Sequence, residues 1–367
     1  MKARHLMLSL AVAASALAAS ADINIVLSNP ADTRVNITSV PIAEYAKGRN
    51  AVQTVVNDSL DIRGRGSFKT PDFNAVNFLS IGDGRETFYT APGDKVTVSI
   101  SSTEPLQLRL SGTPLIDGMQ EIEDWLTPVV ERYKAVVNDS TLSEARKEEK
   151  ITGIMAAYDK VLTDFITANP STPTAAYAVT AIQDEETTVQ MFKLLSGGAL
   201  TSIVYPLAER SNRSAESRLE AEARQKALES GDAPAPDFIL PSLDGKQVAL
   251  SSFRGKWVIL DFWGSWCIWC IKGFPALKEA YAKYDGKVEV IGIDCGDSED
   301  AWKTAVAKYK LPWVHLYNAA SDNSVDKVYG VQGFPTKMIV SPEGKIVDIT
   351  TGEDPAFFDR LEKFVNQ

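Results

Sequence analysis

The chain has 367 residues, a formal net charge of −10 and 44% apolar residues. That length exceeds one ordinary hydrophobic core, so two or three domains are expected, and the composition excludes a disordered or membrane-embedded polymer. The acidic balance argues against a nucleic-acid surface and weakly against anionic lipid.

Residues 1–21 read as a cleavable export signal. Lys2, Arg4 and His5 precede an apolar run from Leu6 to Ala18, and Ala19-Ser20-Ala21 fits a small-residue cleavage site. The run is too short and too rich in alanine to span about 30 Å of hydrocarbon as a retained anchor. No later stretch is apolar enough to cross a bilayer. An exported, periplasmic chain that is not an integral membrane protein is therefore expected. Its three cysteines, Cys267, Cys270 and Cys295, are too few to staple such a length, so they become candidates for chemistry.

Residues 22–112 alternate and turn often. Lys95–Ile100 and Leu106–Leu110 each show period two, and Gly82-Asp83-Gly84 and Ala91-Pro92-Gly93-Asp94 are turn signals. A small antiparallel β domain is expected there, without cysteine or histidine and without a catalytic constellation.

Residues 113–230 change to a helical pattern. Thr141-Leu142-Ser143-Glu144 resembles a capping box, followed by Ile151, Ile154, Tyr158, Leu162 and Phe165 at helical spacing; Asn169-Pro170 ends that helix. A second helix over 208–229 is dense in Arg and Glu, which reads as a solvated, salt-bridged face or, alternatively, a partner surface. Ser230-Gly231-Asp232-Ala233-Pro234-Ala235-Pro236 then forms a stiff connection to the last region, 231–367.

The chemistry sits in that region. Trp257–Trp263 is an apolar run bounded by turns, as in a strand buried on both faces, and Cys267-Ile268-Trp269-Cys270 opens a helix that continues through Leu277 and Tyr281. Cysteines at i and i+3 in a first helical turn can close a disulfide with little backbone movement. Cys267 sits where helix N–H groups are unpaired, which favours its thiolate and makes it the nucleophile; Cys270, one turn in, resolves the mixed disulfide. A zinc site would need four ligands, and three cysteines with His315 offer no second close pair. A purely structural bridge would close too small a loop to stabilise much. Asp261 is a carboxylate inside an apolar strand: either a neighbouring donor satisfies it, or it is a buried acid that shuttles a proton for Cys270. Cys295 reads as a small packed hydrophobe, and His315, alternating with apolar residues, as structural.

Asp261-Phe262-Trp263-Gly264-Ser265-Trp266-Cys267-Ile268-Trp269-Cys270 resembles the active-site segment of the TlpA/ResA branch of the thioredoxin superfamily. The similarity runs from about Ala235 to the C-terminus through Ala235-Pro236-Asp237-Phe238, Leu243-Asp244-Gly245-Lys246, Leu250–Lys256, Gly333-Phe334-Pro335-Thr336 and Pro342-Glu343-Gly344-Lys345. Tyr89–Val96 and Ser111-Gly112-Thr113 are more loosely similar to Bacteroidetes relatives that place β-rich and helical regions first.

The resemblance implies an α/β thioredoxin-like fold at the C-terminus, preceded by the small antiparallel β domain and the helical segment. It implies a thiol–disulfide oxidoreductase with Cys267, Cys270 and Asp261 as catalytic residues. Trp266, Ile268, Trp269, Phe334 and Pro335 would dock the substrate, with Phe334-Pro335 as a cis-proline loop, and Asp297 would be a second acid near the redox pair, a solvated loop acid being the other reading. It implies no metal and no cofactor beyond the Cys267–Cys270 disulfide. The implied partners are substrate proteins with disulfides and a membrane thiol-electron donor, in cytochrome c maturation or oxidative-stress repair. The chain departs from many relatives in having Trp269, not proline, before the second cysteine, and no histidine between the two. That leans toward a reductase; a disulfide-forming oxidase, a peroxiredoxin-like peroxidase and a redox-sensing binding module are the alternatives.

Overall fold

A computed structural model describes residues 22–28, 32–48, 51–69, 72–230, 234–321 and 324–366. The export signal and Gly231-Asp232-Ala233 of the connection lie outside the described residues. The chain divides between Ala215 and Glu216 into two compact units, earlier than the connection at residues 230–236 where the sequence places a boundary.

The first unit opens with β1 (Asp22–Leu27), β2 (Asp32–Pro41), the short α1 (Ile42–Tyr45), β3 (Val56–Arg63), β4 (Arg65–Lys69), β5 (Ala75–Ile81), β6 (Gly84–Thr90), β7 (Lys95–Thr103) and β8 (Leu106–Ser111). They form one eight-stranded sheet in the order β6-β5-β2-β3-β4-β1-β7-β8. The period-two pattern of β7 sends Val96, Val98 and Ile100 inward, while Thr97 and Ser99 fall between them. The sheet is antiparallel except where β1 runs parallel to β7, pairing Ile23 with Val96 and Ile25 with Val98. Period two reports burial but not strand direction, so that pair was invisible to it.

Then follow α2 (Pro114–Asn138), α3 (Glu144–Ala168), α4 (Pro173–Ala181), α5 (Glu185–Phe192) and α6 (Tyr205–Glu229). Helix α2 starts at a Thr113 cap with Pro114 in the first turn, where a missing N–H costs nothing. The cap of α3 is Ser143, whose hydroxyl accepts from the Arg146 N–H, and not Thr141 as the capping-box pattern suggests; Thr141 instead donates its hydroxyl to Asp139. The β-rich and helical regions share one core: Ile23, Ile25 and Val96 from strands join Ile116, Leu162 and Phe165 from helices. Helix α6 spans the division between the units. Its exposed i,i+4 pairs, Arg213–Glu209, Arg224–Glu220 and Lys226–Glu222, bear out the salt-bridged reading and add little stability. Within the second unit, however, Arg224 also donates to the Lys327 carbonyl and Gln332 to that of Arg218, so this half of α6 has an intramolecular contact.

The second unit adds the hairpin of β9 (Ile239–Pro241) and β10 (Gln247–Ala249), then β11 (Trp257–Trp263), α7 (Ile268–Lys283), β12 (Val288–Cys295), α8 (Glu299–Tyr309), β13 (Val314–Asn318), α9 (Val325–Val328), β14 (Thr336–Val340), β15 (Ile346–Thr351) and α10 (Ala356–Val365). The central sheet runs β13-β12-β11-β14-β15, parallel across β11, β12 and β13 and antiparallel beyond. This is the thioredoxin-like arrangement. Strand β11 is buried on both faces: Ile259 and Trp263 pack with Phe274, Leu277, Trp302 and Phe357 of the helices, and Val258, Leu260 and Phe262 pack with Ala235, Phe238 and Tyr329. Asp261 falls on the first of these faces, beneath α7.

Because strands and helices of the first unit share one core, Leu162→Ala should cost about 2–5 kcal/mol. Chemical denaturation followed by far-ultraviolet circular dichroism should show the strand and helix signals of that unit lost together. Separate strand and helix transitions would contradict the shared core.

Candidate active site

Strand β11 ends at Trp263, and the chain must turn sharply before α7. Gly264 allows this: a Cβ there would meet the Trp266 indole nitrogen at 2.5 Å and the Cys295 carbonyl at 2.9 Å. Trp266 donates its Nε1–H to that same carbonyl at 3.0 Å. Asp297 completes the turn, accepting from the Ser265 N–H at 2.6 Å and from its hydroxyl at 2.7 Å, while Tyr317 donates to the Asp297 carbonyl. Asp297 is thus a clamp on the loop that leads into the redox helix, not a solvated loop acid.

Cys267 is the N-cap of α7, and its Sγ accepts from the Cys270 N–H at 3.1 Å, the position a Ser or Asp oxygen would take. The two cysteines form a disulfide with their Cα atoms 5.4 Å apart. Cys267 is only marginally the more exposed, at 5% against 2%. The surface around them is apolar: Trp266, Ile268 and Trp269 are 56%, 62% and 58% exposed. Phe334 packs edge-on against Trp266 at 5.2 Å, and Lys272 lies over the Trp269 ring at 4.2 Å. The Phe334–Pro335 bond is cis, and the Pro335 carbonyl accepts from the Gly352 N–H. The predicted docking residues therefore stand at one edge of the fold with the disulfide.

Asp261 is buried at the third position from the end of β11. Burial pushes its carboxyl up to about 6; the neighbouring Lys337 ammonium opposes that rise, and Glu353 adds to it. Lys337 is the cross-strand partner of Asp261 on β14, and its Nζ lies 2.9 Å from Glu353. A cation thus stands across the sheet from Asp261, and its proton remains within reach of neutral pH.

Three residues singled out in the sequence are now placed. Cys295 is buried beside Asn318, its thiol pushed far up chiefly by burial. His315 lies between the rings of Trp263 and Trp313, and burial lowers its imidazole to about 4, so it is neutral packing. Asp294 was not anticipated. It stands in register with Trp263, fully buried, and among the described residues neither carboxyl oxygen has a hydrogen-bond partner. Burial and then the adjacent Asp297 push it up to about 8. The signal was present: an acid within the apolar run Val288–Cys295, the same anomaly that marks Asp261.

Comparison with known proteins places this geometry among relatives. Residues 232–349 match the profile of the AhpC/TSA family. The chain is 33% identical over 146 residues to the thiol-disulfide oxidoreductase ResA of Bacillus cereus, covering 40% of this chain and 82% of that protein. It is 34% identical over 119 residues to ResA of Bacillus subtilis, covering 32% and 65%. Among solved structures, the thioredoxin domain of a thiol-disulfide oxidoreductase from Bacteroides vulgatus is 34% identical with a TM-score of 0.34, covering 36% of this chain and 96% of that one. A thiol:disulfide interchange protein from Bacteroides sp. is 33% identical with a TM-score of 0.34, covering 37% and 90%.

The unpaired Asp294 carboxyl carries a stability prediction. A carboxyl whose folded pKa is raised binds its proton more tightly folded than unfolded, so its contribution to stability falls as pH rises between about 4 and about 8. Asp294→Asn removes that titration. Its melting temperature should gain on the wild type from pH 5 to pH 9 in scanning calorimetry, and a gap that does not change with pH would contradict a buried, proton-holding Asp294.

Proposed function

The chain belongs to the ResA-like thiol–disulfide oxidoreductases, and from that premise we propose that it is a periplasmic reductase of protein disulfides. The observation that carries the proposal is the placement of Cys267 Sγ at the N-terminus of α7, accepting a helix N–H, above a strand that buries Asp261 on the same face. Unpaired helix N–H groups stabilise a thiolate there, and the thiolate is the attacking species in exchange.

In the reduced protein the Cys267 thiolate attacks one sulfur of a substrate disulfide. A mixed disulfide forms and the other substrate sulfur leaves as a thiolate. Cys270 gives its proton to Asp261 and attacks Cys267 Sγ, which closes the Cys267–Cys270 bond and expels the second substrate sulfur. The substrate gains the two electrons that the dithiol loses. A membrane thiol-electron donor would return them.

One feature supports the reducing direction and a second supports a protein substrate. Ile268 and Trp269 put no cation or histidine between the cysteines, so the Cys267 thiolate lacks the extra stabilisation that makes a disulfide strongly oxidising. The exposed Trp266, Ile268 and Trp269 offer an apolar shelf beside Phe334-Pro335, where an extended stretch of substrate can lie against the backbone as an added strand. Export rests on the charged start, the apolar run and the small-residue site of residues 1–21.

The test is capture and turnover. Cys270→Ala should trap substrate proteins through Cys267, wild-type protein should reduce insulin, and Asp261→Asn should slow resolution about a hundredfold at neutral pH. The Cys267–Cys270 couple should have a potential of about −270 mV. No trapping together with a potential near about −120 mV would turn the reading to an oxidase, and peroxide consumption by the reduced protein would favour the peroxiredoxin-like alternative.

A further inference from the structure

Packing alone does not call for the Lys337–Glu353 pair. A buried ion pair in a sheet can be replaced by apolar side chains of similar volume with little or no loss of stability. Yet Lys337 has a side chain only 5% exposed in β14, flanked by Thr336 and Met338, both also buried. Its position is specific. In the antiparallel register of β11 and β14 it stands directly opposite Asp261, where paired side chains share a face and lie about 5 Å apart at Cβ.

Glu353 reaches the same place from another direction. It follows β15, and the preceding Gly352 donates its N–H to the Pro335 carbonyl at 2.7 Å, which holds this segment against the substrate-binding loop. Its carboxylate accepts from Lys337 Nζ at 2.9 Å. It also lies against α7 at Gly273, where a Cβ would come within 2.3 Å of Glu353 Oε1 and 2.8 Å of Oε2. Gly273 is one helical turn beyond Cys270 on α7, so a bare patch of helix admits the carboxylate next to the resolving cysteine's turn. The Glu353 side chain keeps 32% exposure, so the pair opens to solvent at one end and onto Asp261 at the other.

We propose that Lys337 and Glu353 are positioning residues for the redox reaction, an ion pair that sets the pH at which Asp261 takes the proton of Cys270. The inference rests on the assignment of Asp261 as the acid that serves Cys270. The groups that bear on Asp261 are Lys337 from β14, Glu353 from the segment after β15 and the buried Cys295 thiol at the end of β12, while Cys270 of α7 lies in the cluster on the face that Asp261 interrupts. Strand β12 puts the uncharged Gly292 beside it, with Asp294 two residues further along the same face. Lys337 favours the ionised Asp261 and Glu353 disfavours it. The two residues therefore pull Asp261 in opposite directions.

The experiment is single-turnover reduction of a peptide disulfide by the full-length reduced protein, read from tryptophan fluorescence between pH 4.5 and 9. Resolution should rise with pH along one acid limb as Asp261 ionises. Lys337→Met should move the midpoint of that limb up by about one pH unit or more, because a cation at this distance is lost. Glu353→Gln should move it down, and Lys337→Arg should return it toward the wild type. Glu353 is partly exposed, so its variant carries the test even where Lys337→Met fails to fold. Midpoints that stay at the wild-type value, or that shift the same way in both variants, would overturn the inference. Asp261→Asn separates the two failures: if the acid limb persists in it, the assignment of Asp261 falls as well, whereas if the limb vanishes there but ignores Lys337 and Glu353, only the inference falls.

Discussion

An ionisable carboxyl inside a sheet covered on both faces has nowhere to find water, and that constraint organises the redox unit. Strand β11 sends alternate side chains into two separate hydrophobic clusters, and Asp261 interrupts one of them. Left alone, the charged form would be strongly disfavoured. A lysine opposite it on β14 offsets part of that cost, but a buried lysine needs an anion of its own, and Glu353 supplies one from beyond β15. Glu353 in turn needs a gap in α7, which Gly273 provides. One acid in a strand thus fixes the residue type at three further positions on three other segments.

The start of the same helix, about one turn before Gly273, is held by a different kind of contact. It depends on the Asp297 clamp on Ser265, on the Trp266 indole bound to the Cys295 carbonyl, and on the Cys267 sulfur acting as cap. These are directional hydrogen bonds to a loop, whereas Asp261, Lys337 and Glu353 are linked by charge. The helix is therefore positioned by geometry where the disulfide sits and tuned by electrostatics one turn further in. Separation of the two lets the turn stay rigid while the proton inventory beneath it changes.

What could be read from the sequence follows the range of each signal. The cysteine pair, the doubly buried strand and Asp261 lie within fifteen residues of one another, and local pattern was enough to identify them. Lys337 lies on β14 and Glu353 just after β15, in the antiparallel half of the sheet, so no spacing along the chain connects them to Asp261. Asp294 carried the same anomaly as Asp261 and was missed because no motif drew attention to it. In the first unit, period two located β7 and β8, but the parallel β1–β7 pair and the core shared by strands and helices arise from pairings across more than seventy residues. Ser143 and Thr141 are both good caps, and only the backbone path decides between them.

The two residues between the cysteines acquire a meaning from this arrangement. In the proposed reaction a substrate must cover Ile268 and Trp269 to bring its disulfide onto Cys267. A charge placed between the cysteines would have to be desolvated each time, at a cost in affinity. With the apolar pair above and the Asp261–Lys337–Glu353 group below, the docking face carries little that resents burial, and Asp261 and Lys337 are already out of water. Glu353, beside Gly273 rather than Ile268, is the one member of that group with about a third of its side chain exposed.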